Sequence, residues 1–106
     1  MAYNVTINND LTTTPLSLTV TEGNTPVYVN FTNSAGKTVY LHGGQNWKNV
    51  FGSKSIKIPT NGYNLQISKV INATDSCPYS VSTSSTSDNK YSQGNPSVIV
   101  ITGGKR

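Results

Sequence analysis

Seven short runs in this chain alternate apolar and polar residues with a period of two. Tyr3, Val5 and Ile7 alternate with Asn4 and Thr6. Leu16, Leu18 and Val20 alternate with Ser17 and Thr19, and Val27, Val29 and Phe31 with Tyr28 and Asn30. Val39 and Leu41, Ile56 and Ile58, Leu65 and Ile67, and more weakly Tyr79 and Val81 repeat the pattern. Successive side chains of a strand point to opposite faces, so this period predicts strands with one face buried and one solvated. The last run, Val98 to Ile101, is apolar at every position, which predicts a central strand, or one covered on both sides by a partner or loop.

Turn-forming clusters separate these runs: Asn9-Asp10, Glu22 to Pro26, Asn33 to Lys37, Asn61-Gly62 and Gln93 to Pro96. Asn33 to Lys37 predicts a tight hairpin between the third and fourth strands, and Asn61-Gly62 a second hairpin. Seven or eight short strands with frequent turns and no helical period predict a single domain, residues 1–106, folded as an antiparallel β-sandwich. A small closed β-barrel is the alternative. Ser80 to Ser92 is nearly low-complexity and reads as a long loop or an exposed strand bearing hydroxyls.

Charged residues form only 11% of the chain, far below the usual quarter or so. In their place stand 13 Asn, 13 Ser and 14 Thr. The net charge of +4 comes partly from the terminal Lys105 and Arg106, and the other lysines are scattered. Nucleic-acid binding calls for clustered cations, so no nucleic-acid partner is expected. The scattered lysines read as solvated residues that keep strand edges apart. The single cysteine, Cys77, permits no intrachain disulfide. MAYNVTINND lacks the pattern of a signal peptide, and no apolar stretch is long enough to span a bilayer. The expected location is the cytoplasm, or outside the cell by a route that needs no signal peptide. Asn4, Asn30 and Asn72 match the N-glycosylation pattern, as chance allows in a chain of this composition.

Catalysis by Ser or Cys needs a base, and His42 is the only histidine. Cys77 precedes a proline and has no neighbouring cation in sequence to lower its pKa. The acids are Asp10, Glu22, Asp75 and Asp88 alone, with no marked pair. No zinc spacing and no phosphate-binding glycine loop is present. No enzyme activity and no cofactor are expected. Asp75 and Asp88, each beside amides, leave room for a weak calcium site at most.

Residues 40–52, YLHGGQNWKNVFG, break the alternation. They hold the only tryptophan and the only histidine, two adjacent glycines and three amides. An aromatic ring can cover the C–H face of a sugar, and amides both donate to and accept from hydroxyls. Trp47 is the expected centre of a site, with Gln45, Asn46, Asn49 and His42 as hydrogen-bonding neighbours. Tyr63 and Asn64 would form a second patch. The competing reading for Trp47 is a core residue. The expectation is a lectin-like protein that binds neutral glycans or glycoproteins and oligomerises for avidity and agglutination. One alternative is a membrane-lipid-binding or cytolytic protein meeting a membrane surface through the same loop. Another is a structural or assembly subunit, such as a coat or decoration protein.

Overall fold

The structure, a computed structural model, describes residues 3–21, 27–67, 74–86, 90–92 and 96–102. The turn cluster at 22–26, Asp88 and the tail 103–106 lie outside the described residues, as does most of the cluster at 93–96. The chain is mostly β, in two open sheets that face each other across one core. Every alternating run forms a strand, β1 (Tyr3–Ile7), β3 (Ser17–Thr21), β4 (Tyr28–Asn33), β5 (Val39–Gly43), β6 (Ser55–Ile58), β7 (Tyr63–Gln66) and β8 (Thr74–Ser82), and the continuous apolar run forms β9 (Ser97–Thr102). A two-residue strand, β2 (Thr13–Thr14), is the addition, too short to show a period.

The four-stranded sheet runs β2-β1-β4-β7 and the five-stranded sheet β3-β9-β8-β5-β6. Both are mixed and neither is closed. This corrects the expectation of a purely antiparallel sandwich and removes the barrel. β1 lies parallel to β4, and β3 parallel to β9. The two parallel pairs have a common origin, because the N-terminal segment serves both sheets in turn. After β1 and β2 the chain passes the cis Thr14–Pro15 bond and joins the other sheet as β3.

The two expected hairpins are corners between sheets. β4 and β5 belong to different sheets, and so do β6 and β7. Asn33 holds both corners together. Its amide Nδ2 donates to the carbonyls of Lys37 (2.8 Å), Ile58 (3.2 Å) and Pro59 (3.2 Å), and its Oδ1 accepts from the Ala35 N–H (2.9 Å). Gly62 has φ +86, and a Cβ there would stand 2.6 Å from the Phe31 carbonyl oxygen. Only glycine fits that second corner.

The inward residues of both sheets form one cluster, including Val5, Ile7, Val29, Phe31 and Leu65 from one sheet and Val20, Leu41, Ile99 and Ile101 from the other. Phe31 meets Tyr79 edge-on across the gap, with ring centroids 6.1 Å apart. A buried hydroxyl pair, Thr13 Oγ1 and Ser97 Oγ at 2.6 Å, ties β2 to β9. As its pattern predicts, β9 is central. Ile99 and Ile101 face inward and are fully buried, while Val98 and Val100 face outward and are half-buried. Lys57 stands exposed on the edge strand β6, where a charge discourages pairing with another chain.

Truncating Ile101 to Ala should cost about 2–5 kcal/mol of stability. Leu16→Ala, at a position 48% exposed, should change it by no more than about 0.5 kcal/mol. Denaturant midpoints at constant slope measure both.

Candidate functional site

The segment that breaks the alternation is a short helix, α1 (Gln45–Phe51). Trp47, Val50 and Phe51 fall at i, i+3 and i+4, share one face, and are all buried. That spacing was the sequence signal for the helix, and with fewer than two turns it is too brief to stand out. Gly52 ends the helix in the left-handed conformation, φ +91, and its N–H bonds the Lys48 carbonyl at 2.7 Å.

Trp47 is not exposed. It is 0% accessible and packs on Phe51 (4.4 Å between centroids) and Tyr79 (4.9 Å). The two glycines have a packing reason. A Cβ on Gly43 would lie 2.2 Å from the Trp47 Cγ, and one on Gly44 would lie 2.9 Å from the Tyr91 ring. His42 is also buried, against expectation. Its Nδ1 meets Ser55 Oγ at 2.9 Å, and its Nε2 meets Ser82 Oγ at 2.9 Å and the Ser84 carbonyl at 3.0 Å. A carbonyl only accepts, so Nε2 carries the hydrogen in the neutral ring. The Ser-rich segment after β8 therefore covers the histidine, and no carboxylate is among these partners.

The remaining residues of the expected loop site are exposed but scattered in role. Gln45 Nε2 donates to Asn49 Oδ1 at 2.8 Å, one turn along α1, and Asn46 Nδ2 donates to the Ser76 carbonyl at 3.3 Å. Tyr91 is the ring beside Gln45 and Asn46, over a recess of about 270 Å³. Tyr63 and Asn64 do not form one patch, because neighbours in a strand point to opposite faces. Tyr63, 46% exposed, lines a groove of about 550 Å³ between the edge strands β6 and β7, with Phe51, Ile56, Pro59 and Leu65. Asn64 lies on the outer face of the four-stranded sheet. Asp75, offered as a weak calcium ligand, is 3% exposed. Among the described residues no three His, Cys, Asp or Glu side chains come together as a metal site.

The outer face of the four-stranded sheet is the surface that loop reasoning missed. Strand register sets its residues in rows. Tyr28 pairs with Gln66. Asn30 pairs with Asn64 on one side and Asn4 on the other. Thr32 pairs with Thr6, and Thr6 with Thr14. Asn30 Nδ2 donates to Asn4 Oδ1 at 3.3 Å. At the threonine end, Asn8 Nδ2 bonds the hydroxyls of Thr12 (3.1 Å) and Thr14 (3.0 Å). Among the described residues the strand rows of this face carry amides, hydroxyls and one aromatic ring, Tyr28, which is 46% exposed, and no charge; at the rim beyond the threonine row the exposed Asp10 carboxylate accepts from Thr12 Oγ1 at 2.6 Å. The outer face of the other sheet differs: Val98, Val100 and Pro78 lie on it, half-buried. The signal for the polar face was in the alternation itself, in the polar partners of β1, β4 and β7.

The Cys77 thiol is buried, donates weakly to the Asn46 carbonyl at 3.9 Å, and has its pKa pushed up to about 12 by burial and by the neighbouring Asp75 carboxylate, which disfavours the thiolate. Burial likewise raises Tyr79 to about 12, against the lowering effect of hydrogen bonds with Thr13 and Ser97.

Two tests follow from this packing. Gly43→Ala forces a Cβ into the indole and should cost about 1–3 kcal/mol, read as a lower denaturation midpoint. The raised acids give an alkaline limit. The unfolded chain releases the Cys77 and Tyr79 protons from their ordinary values, 9.0 and 10.0, while the folded chain holds both to about 12. Stability should be intact below pH 9.0 and fall as pH rises towards about 12. In a midpoint-against-pH series, Cys77→Val should remove the part of the decline that begins near pH 9.0. In comparisons with protein families, curated proteins and solved structures, the chain matches none.

Proposed function

We propose that this protein is a non-catalytic binder of neutral glycans, free or on glycoproteins, and that its site is the outer face of the four-stranded sheet. One observation carries the reading. A half-exposed ring, Tyr28, stands in register-ordered rows of amides and hydroxyls that carry no charge. Amides and hydroxyls both donate and accept, as sugar hydroxyls do. A neutral ligand lying on these uncharged rows buries no charged side chain. The ring offers an apolar surface for the C–H side of a sugar.

Burial of Trp47 takes the indole away from Gln45, Asn46 and Asn49, which leaves the half-buried Tyr91 as the ring beside Gln45 and Asn46. It also deprives the lipid-binding alternative of its membrane-facing indole. Contacts on an open sheet face are individually weak, so useful affinity comes from repeated sites, through oligomers or repeated ligands.

A glycan array and affinity electrophoresis in neutral polysaccharides test the reading. Wild type should bind. Tyr28→Ala and Asn64→Ala should each weaken binding about tenfold, a loss of about 1.4 kcal/mol, with unchanged thermal unfolding. Trp47→Phe should keep the affinity of whatever fraction stays folded. An array without a neutral-glycan hit, or full binding by Tyr28→Ala, refutes the assignment.

A further inference from the structure

The glycan-binding face has an orientation and a length, and these specify its ligand more closely. We infer that the ligand is an unbranched chain of three or more neutral sugars, laid along β4 from Tyr28 towards Thr32, and not a single terminal sugar. This rests on the glycan-binding reading above.

The first argument is shape. A site for one small ligand is a cavity that surrounds most of it. Among the described residues three recesses lie off the strand rows: between β6 and β7, beside α1, and in the loop after β1 at the rim of the face. The residues of the outer face line none of these apart from Asn8 and Thr12 at its far rim. An open sheet face touches one side of each sugar, so binding free energy accumulates with the number of units in contact.

The second argument is order along the strand. β4 is the midline of the face, with β7 on one side and β1 on the other. Its outward residues are Tyr28, then Asn30, then Thr32. The ring lies at one end, a row of three amides follows, and the threonine row comes last. Four residue steps at about 3.3 Å give a track of about 13 Å, which is the reach of a short oligosaccharide. Amides flank the track on both sides at the middle row, so a chain with hydroxyls on both edges meets partners on both edges. A sugar at Tyr28 alone would leave the amide and threonine rows unused.

The third argument is charge. No Lys, Arg, Asp or Glu is among the described residues of the strand rows, so the track along β4 offers no counter-charge to an anionic or a cationic polysaccharide, and the Asp10 carboxylate on Thr12 at the rim further disfavours an anionic one. The ligand class is therefore a linear neutral glycan.

Calorimetric titration with cello-, malto-, xylo- and manno-oligosaccharides of one to six units tests this. In the series that binds, Kd should fall at least tenfold between one and four units and then level off. Tyr28→Ala should weaken dimer and tetramer alike. Thr32→Val, which removes only a hydroxyl at the far end, should weaken the tetramer several-fold and leave the dimer unchanged. A single sugar that binds as tightly as the tetramer overturns the inference and leaves the glycan reading standing. So does an array that responds only to branched or terminal-sugar glycans. A Thr32→Val effect equal at all lengths removes the orientation along β4. A blank array together with no response in any series overturns both.

Discussion

The packing of Trp47 against Gly43 is the contact on which the two-sheet arrangement most depends. The indole occupies the space that a side chain on residue 43 would need, and it reaches Tyr79 and Phe51. Tyr79 in turn meets Phe31 across the gap between sheets. This train of rings joins α1, the five-stranded sheet and the four-stranded sheet, and it fills a core that a chain with 34% apolar residues must use economically. Large aromatics supply much buried area per residue, which suits a small domain with few apolar side chains to spend.

The polar surface follows from the same economy. With the largest rings committed to the interior, the outward positions of β1, β4 and β7 are left to amides, hydroxyls and Tyr28. Strand pairing then does what the composition alone could not. It places Asn4, Asn30 and Asn64 side by side although they are far apart in the chain. The face proposed for glycan binding is thus the reverse side of the sheet that carries Phe31 and Leu65 inward. Both sides are read from one alternation, with opposite parity.

Legibility in the sequence differed sharply between strands and site. Each alternating run is a strand because burying one face and wetting the other is a local requirement, visible in five or six residues. β2 escaped notice because two residues carry no period. The helix escaped because Trp47, Val50 and Phe51 make a single helical contact set, which a strand-rich context masks. His42 continues the outward parity of Tyr40 and so reads as exposed, or as a histidine satisfied within the protein. It is covered by Ser82 and Ser84, 40 and 42 residues away, and no local pattern announces that cover. Tyr63 and Asn64 read as one patch because they are adjacent, yet adjacency in a strand separates side chains to opposite faces.

The sequence by itself determined where the longer strands form, which of their side chains face a core, and that the exposed surface is poor in charge and rich in amides and hydroxyls. These are consequences of local period and composition. Tertiary structure decided which strands pair, that Asn33 to Lys37 and Asn61-Gly62 turn between sheets and not within one, and that the indole lies inside. A turn cluster bends the chain equally well into a hairpin or a corner. The choice rests on where the next strand can bury its apolar face and find hydrogen-bond partners, and those partners come from the far end of the chain.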